Sequence, residues 1–282
     1  MTTLSSKVQE LLRLTVRAIE PYQNEIVLIG GVAKHWYSNL SGYVNPGFEP
    51  MSTIDIDLAL PEPLALRGGS TLHQRLMDQH LTMKEILGLD NRPAICRYYL
   101  PGITHPRADD PYLECLVPMR GPDRDSAGNP QGPPLVASAV RFLDLVTTDA
   151  LQITIPEIGT LKIPHPFAYI IQKTRIRSKR RPEKQAKDQA DVFYVAMSFR
   201  SQWAEWSTMW HRWRSHSPEW SAWLTTVQNH WTDLYATPTS AGSREVQSMN
   251  VGMPSDLIAR IMQDFVRHIT TPLSPSRDGE TV

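Results

Sequence analysis

In the run STIDIDLAL, residues 52–60, Ile54, Ile56 and Leu58 alternate with Asp55, Asp57 and Ala59. A period of two is the mark of a β-strand with one apolar face, and Pro61 closes it. Alternate strand residues project to the same side about 6.5 to 7 Å apart, so the two aspartates stand together on one face. Aspartate is a poor strand former, and like charges at neighbouring same-face positions repel. Two readings follow: a half-exposed strand whose polar face happens to carry two acids, or a pair compensated by a bound cation. Paired carboxylates attract hard cations such as magnesium (Mg2+), and two such ions about 4 Å apart can clamp both oxygens of a phosphoryl displacement.

Upstream, a helix is predicted from Ser5 or Ser6 to Ile19, ended by Pro21, and EIVLIG reads as a buried strand. Gly30 and Gly31 interrupt that strand before VAKHWYSNL, which has helical character. Bare backbone amides at such a turn can hold a polyphosphate, although a Gly-Gly pair is more often a simple tight turn and gains weight here only from the D-x-D strand that follows. The segment SGYVNPGFEP that follows is a loop.

Beyond the D-x-D strand, a helix is expected over 72–87, then strands near 95–100 and 112–117. In YLECLV, Glu114 lies between Leu113 and Cys115 in an otherwise apolar run. Carboxylates are rarely buried unpaired, so Glu114 either faces water from an edge strand or joins the two aspartates. GPDRDSAGNPQGPP reads as loop, VASAVRFLDLVT as helix, and LQITIPEIGTLKIP as a hairpin turning near Gly159. After Pro164 and Pro166 strand alternation ceases. The expected organisation is therefore an α/β domain over 1–164, a mainly helical domain over 165–270, and a disordered tail over 271–282.

Lys plus Arg and Asp plus Glu each total 29, so the chain as a whole is not an electropositive nucleic-acid glove. Positive charge is local instead: residues 173–187 hold eight Lys or Arg against the single acid Glu183. Cys96 and Cys115 sit in apolar runs without zinc-ligand spacing, and no run is long and apolar enough for a membrane span. The expectation is a reduced, soluble, cytoplasmic protein with no membrane contact.

Taken in order, GGVAKHWYSNL and STIDIDL resemble the nucleotidyltransferase superfamily of polymerase-beta-like fold. Within it the chain looks most like bacterial abortive-infection and type IV toxin-related proteins, which carry Thr or Ser shortly before D-x-D, as Ser52 and Thr53 do here. Those proteins also have a third acid in a strand running into proline, as in ECLVP, and a later Lys-Asp-x-x-Asp element, as in KDQAD from Lys187 to Asp191. The resemblance covers roughly residues 24 to 197. Two departures stand out: the interval from Gly31 to Asp55 is longer than in compact members, and Gly31 occupies a place where many members have serine.

The resemblance implies a minimal nucleotidyltransferase domain with a mixed sheet, followed by a helical domain that closes over the nucleotide. It implies a catalytic and metal-binding set of Asp55, Asp57 and Glu114, two Mg2+ ions, and a nucleoside triphosphate (NTP) held by Gly30, Gly31, Thr53, Lys173, Lys187 and Asp188. A nucleoside monophosphate would move to an acceptor hydroxyl on transfer RNA, another RNA, protein or a small molecule. Arg175, Arg177, Lys179, Arg180 and Arg181 would hold an RNA acceptor's backbone, or form only a solvated charged loop. The toxin-like relatives imply a cognate antitoxin or operon partner. Trp203, Trp206, Trp210 and Trp213 step by three and four residues and are expected in a helix–helix interface. A nucleotide- or RNA-binding protein without turnover, or an interaction partner in a toxin–antitoxin pair, remains an alternative reading.

Overall fold

The computed structural model describes residues 4–86, 95–119, 127–249 and 251–271. The chain divides into two compact units, Met1–Leu40 with Pro50–Gln172, and Ser41–Glu49 with Lys173–Val282. The architecture is α/β with a mixed sheet and a helical C-terminal region.

In the first unit, helix α1 (Ser6–Ile19) begins where the Ser5 hydroxyl accepts the Val8 amide at 3.3 Å. Strand β1 (Val27–Ile29) leads through Gly30 into α2 (Gly30–Lys34), and β2 (Asp55–Ala59) carries the two aspartates. Helix α3 (Leu72–Asp78) starts in a capping box between Thr71 and Gln74. Then come β3 (Thr82–Ile86), β4 (Ile95–Tyr99), β5 (Tyr112–Pro118), β6 (Ala127–Gly128), β7 (Ala137–Val140), α4 (Leu143–Thr148), β8 (Leu151–Ile155) and β9 (Gly159–Ile163). The strands form one sheet in the order β3-β4-β5-β2-β1-β9-β8, with β7 pairing β5 and β6.

Helix α1 packs against α3, β2, β5 and β9, on the face where Ile56, Leu58, Leu113 and Cys115 are buried. On the opposite face, Val27, Ile29, Ala59 and Leu116 pack with Leu143 and Val146 of α4. Asp55 and Asp57 share that second face, so the acids rise from the rim of an apolar cluster that fixes their strand from below.

Three expected elements are corrected. The helix predicted over 72–87 ends at Asp78, where His80 turns the chain at φ 60°, and Thr82–Ile86 pairs antiparallel with β4. Ladder pairing to β4 overrides the helix propensity of MKEIL. VASAVRFLDLVT splits in the same way. Its first part becomes β7, parallel to β5, and Phe142 at φ 61° opens α4. The helix expected after the glycines is one short turn of five residues, followed by 3-10 turns. The hairpin over 151–163 is present as β8 and β9. Of the tail expected over 271–282, residues 272–282 lie outside the described residues, as do residues 121–126 of the expected loop.

The second unit is helical: α5 (Pro166–Ile176) runs into it from the first, followed by α6 (Pro182–Ser198), α7 (Trp203–Arg214), α8 (Pro218–Leu234), α9 (Ala241–Ser248) and α10 (Ser255–Thr270). Trp206, Trp210 and Trp231 are fully buried, and Phe265 of α10 packs edge-on against Trp203, Trp206 and Trp231. The tryptophan stripe is therefore a helix–helix core, as its spacing predicts. Residues 41–49, within the expected loop SGYVNPGFEP, are built into this unit. The Val44 amide donates to Ser198 O at 2.7 Å, Tyr43 and Tyr194 share a hydroxyl hydrogen bond of 3.0 Å, and Phe48 stacks on Phe193.

Candidate active site

The site starts from three strand registers. Antiparallel β1 places Ile29 opposite Asp57, so the chain leaves β1 into Gly30 directly beside that carboxylate. Parallel β5 places Tyr112 opposite Asp55 and Glu114 opposite Asp57. Antiparallel β4 then sets Arg97 opposite Glu114 and Tyr99 opposite Tyr112. Residues in register point to the same face, so Asp55, Asp57, Glu114, Tyr112 and Arg97 all stand on one side of the sheet.

The glycines are required by close approach. Gly30 has φ 72°, and a Cβ there would overlap Oδ2 of Asp57. A Cβ on Gly31 would lie 2.8 Å from both Cβ and Oγ1 of Thr53. The turn thus fits closely over the first residues of the D-x-D segment, with backbone where side chains would otherwise be. Thr53 is buried and its hydroxyl donates to Oδ1 of Asp55, which fixes that carboxylate's rotamer. Because α2 has only five residues, its dipole adds little, and any anion contact at the turn falls to individual backbone amides.

Glu114 is held from two sides. Arg97 Nε donates to Oε2 at 3.0 Å, and Ser138 Oγ donates to Oε1 at 2.6 Å. The Arg97 guanidinium also lies 4.1 Å above the Tyr112 ring. Burial opposes its positive charge, but Tyr112 and Glu114 outweigh that penalty and raise its pKa. Burial likewise pushes the Tyr112 phenol up, reinforced by the charges of Asp55, Asp57 and Glu114, so it persists as a protonated hydroxyl. All three acids thus lie within electrostatic reach of one ring.

Among the described residues, no three His, Cys, Asp or Glu side chains come together closely enough to hold a metal ion. The donor chemistry of the D-x-D pair nevertheless suits magnesium: two hard carboxylates stand on one face of the strand.

Lys173, Lys187 and Asp188, assigned by resemblance to the nucleotide, belong to the second unit. Lys173 is 6% exposed, and its ammonium meets Asp188 at 2.6 Å and Asp191 at 4.0 Å. Arg180 approaches the other oxygen of Asp188 at 3.3 Å. This buried ion cluster ties α5 to α6, and Lys187 beside it is half-buried. Within the basic segment Arg177 pairs with Glu245, while Lys179, Arg180, Arg181 and Lys184 are exposed.

Sequence reasoning did not single out Arg97, Ser138 or Tyr112. Arg97 and Ser138 lie in runs whose apolar or small neighbours hide them, and only strand register brings them to Glu114. A family model described as "Nucleotidyltransferase" matches residues 7–211 of the chain. No curated protein matches it.

Proposed function

The chain belongs to the nucleotidyltransferase family, enzymes of nucleotidyl transfer, and from that premise we propose that it moves a nucleoside monophosphate from an NTP to an acceptor hydroxyl with the help of magnesium. The observation that carries this reading is the closure of the glycine turn onto the D-x-D strand, Gly30 against Asp57 and Gly31 against Thr53. Such a fit places backbone amides beside two carboxylates, the pairing a polyphosphate with its counter-ion requires.

Asp55 and Asp57 would hold magnesium, which when bound supplies charge stabilisation at the phosphoryl oxygens. Thr53 keeps Asp55 in its rotamer, and the amides of the turn orient the phosphate chain. Glu114 accepts the proton of the acceptor hydroxyl as its oxygen bonds to the α-phosphorus. The bond from that phosphorus to the bridging oxygen breaks, and pyrophosphate leaves with the electron pair.

The exposed cations Lys179, Arg180, Arg181 and Lys184 favour an RNA acceptor, transfer RNA included, because they concentrate positive charge on one exposed segment of a chain that is neutral overall. The order of glycine turn, Thr53 before D-x-D, Glu114 before proline and KDQAD supports a toxin or phage-defence role with a cognate antitoxin partner. Two buried free cysteines support a reducing, cytoplasmic setting, and among the described residues no helix is long and apolar enough to cross a membrane.

The direct test is incubation with each α-labelled NTP, magnesium and total RNA, beside Asp55→Ala and Asp57→Ala. Transfer is expected from the wild type alone and should vanish with a chelator. Label transfer that survives both substitutions removes the aspartates from the chemistry.

A further inference from the structure

Strand β5 changes neighbour in mid-course. Through Tyr112 to Glu114 its edge pairs with antiparallel β4, and from Leu116 onward the same edge pairs with parallel β7, Leu116 opposite Ser138. The two neighbours are joined at the changeover, where the Cys96 amide donates to Val136 O at 2.9 Å and its thiol to Pro134 O at 3.1 Å. Glu114 sits at this junction and receives one donor from each side, Arg97 of β4 on Oε2 and Ser138 of β7 on Oε1.

A glutamate has three side-chain torsions, and an anchor on each oxygen removes the freedom of the last one as well as the first two. Each carboxylate oxygen has two lone pairs, so one hydrogen bond apiece leaves acceptor capacity on both. Arg97 is itself fixed, with its guanidinium over the Tyr112 ring. Tyr112 in turn stands in register with Asp55. The junction therefore builds a rigid carboxylate next to the D-x-D strand, with both oxygens already committed to protein donors.

We infer that Arg97 and Ser138 are positioning residues that aim Glu114 at the acceptor hydroxyl and hold it apart from the ion-binding pair Asp55 and Asp57. The inference rests on the function proposed above. In the transfer step the acceptor O–H proton passes to a Glu114 oxygen, the acceptor oxygen forms its bond to phosphorus, and pyrophosphate carries away the electrons of the broken bond. Loss of either anchor leaves Glu114 present but misaligned, which slows turnover without weakening the binding of metal or nucleotide.

The experiment titrates the full chain with Mn2+, followed by electron paramagnetic resonance, and measures label transfer from an α-labelled NTP to total RNA. Arg97→Gln and Ser138→Ala should each cut kcat at least tenfold, with KM for the NTP and Mn2+ affinity within twofold of wild type. Adding Arg97→Gln to Glu114→Gln should cost nothing further, and Arg97→Lys should recover part of the rate. Ser138→Ala removes a single hydroxyl from β7 and remains informative if Arg97→Gln fails to fold. Unchanged kcat in both variants, a multiplicative loss in the double variant, or Mn2+ affinity that falls along with kcat overturns the inference. These outcomes with Asp57→Asn inactive leave the parent reading standing. A wild type that transfers no label, or an Asp57→Asn protein that binds Mn2+ and transfers as before, brings down both.

Discussion

Gly30 and Asp57 occupy one space: a Cβ on the glycine would overlap Oδ2 of the aspartate, and the glycine backbone is left-handed at φ 72°. Gly30→Ala therefore meets two costs. The left-handed conformation disfavours an L side chain by about 1–2 kcal/mol, and Asp57 must swing away from its present position. Gly47, at φ 88° with nothing within 4 Å of a built Cβ, isolates the first cost. Denaturant melts should show the conformational penalty alone in Gly47→Ala and a larger loss in Gly30→Ala, while nucleotidyl transfer should fall on the order of a hundredfold only in Gly30→Ala. Equal activity in the two variants would separate the turn from the chemistry.

The Thr53 hydroxyl donates to Asp55, a hydrogen bond to a charged group worth about 1.5–3 kcal/mol. Thr53→Val keeps the shape against Gly31 and removes the donor. A kcat loss of about 10- to 100-fold is expected, whereas Thr53→Ser should stay within a few-fold of wild type. Comparison of the two rates decides between the hydroxyl and the methyl as the group that matters.

Lys173 is buried between Asp188 and Asp191, so Lys173→Met should destabilise the protein by about 3–5 kcal/mol by stranding two buried acids. Burial opposes the ammonium's charge, yet the two aspartates prevail and hold its pKa above the ordinary lysine value of 10.5. A folded-state pKa above the unfolded one gives stability that is complete below 10.5 and is lost as pH climbs through the raised value. The gap in melting temperature between wild type and Lys173→Met should therefore stay constant from pH 6 to 9 and narrow only in stronger base.

Residues 41–49 are pinned by the Val44 amide on Ser198 O and by Phe48 against Phe193 and Tyr194. Hydrogen exchange should show the Val44 amide protected in the wild type and at least tenfold faster in Phe48→Ala. Fast exchange in the wild type would instead mark this segment as an open loop.

The regular elements were legible where one force dominated. The amphipathic period of α1, the alternation in β2 and the tryptophan steps in α7 each answer to burial of one face, which neighbouring residues record. Thr82–Ile86 and Ala137–Val140 were misread as helix because their state depends on partner strands distant in sequence. Local propensity cannot register a hydrogen-bond ladder formed with residues it does not contain.

The same division runs through the site. Asp55, Asp57, Glu114 and the glycine pair announce themselves locally, because acids interrupting apolar strands and paired glycines at a strand end are costly choices that the sequence displays directly. What stands beside each of them was settled by the fold: strand register sets Arg97 and Ser138 on Glu114, the glycine turn closes over Thr53, and helix packing sets Lys173 on Asp188 inside the helical unit. A one-residue slip in β2, β4 or β5 would send the paired side chains to opposite faces of the sheet, so the identity of the acids belongs to the sequence and their company belongs to the fold.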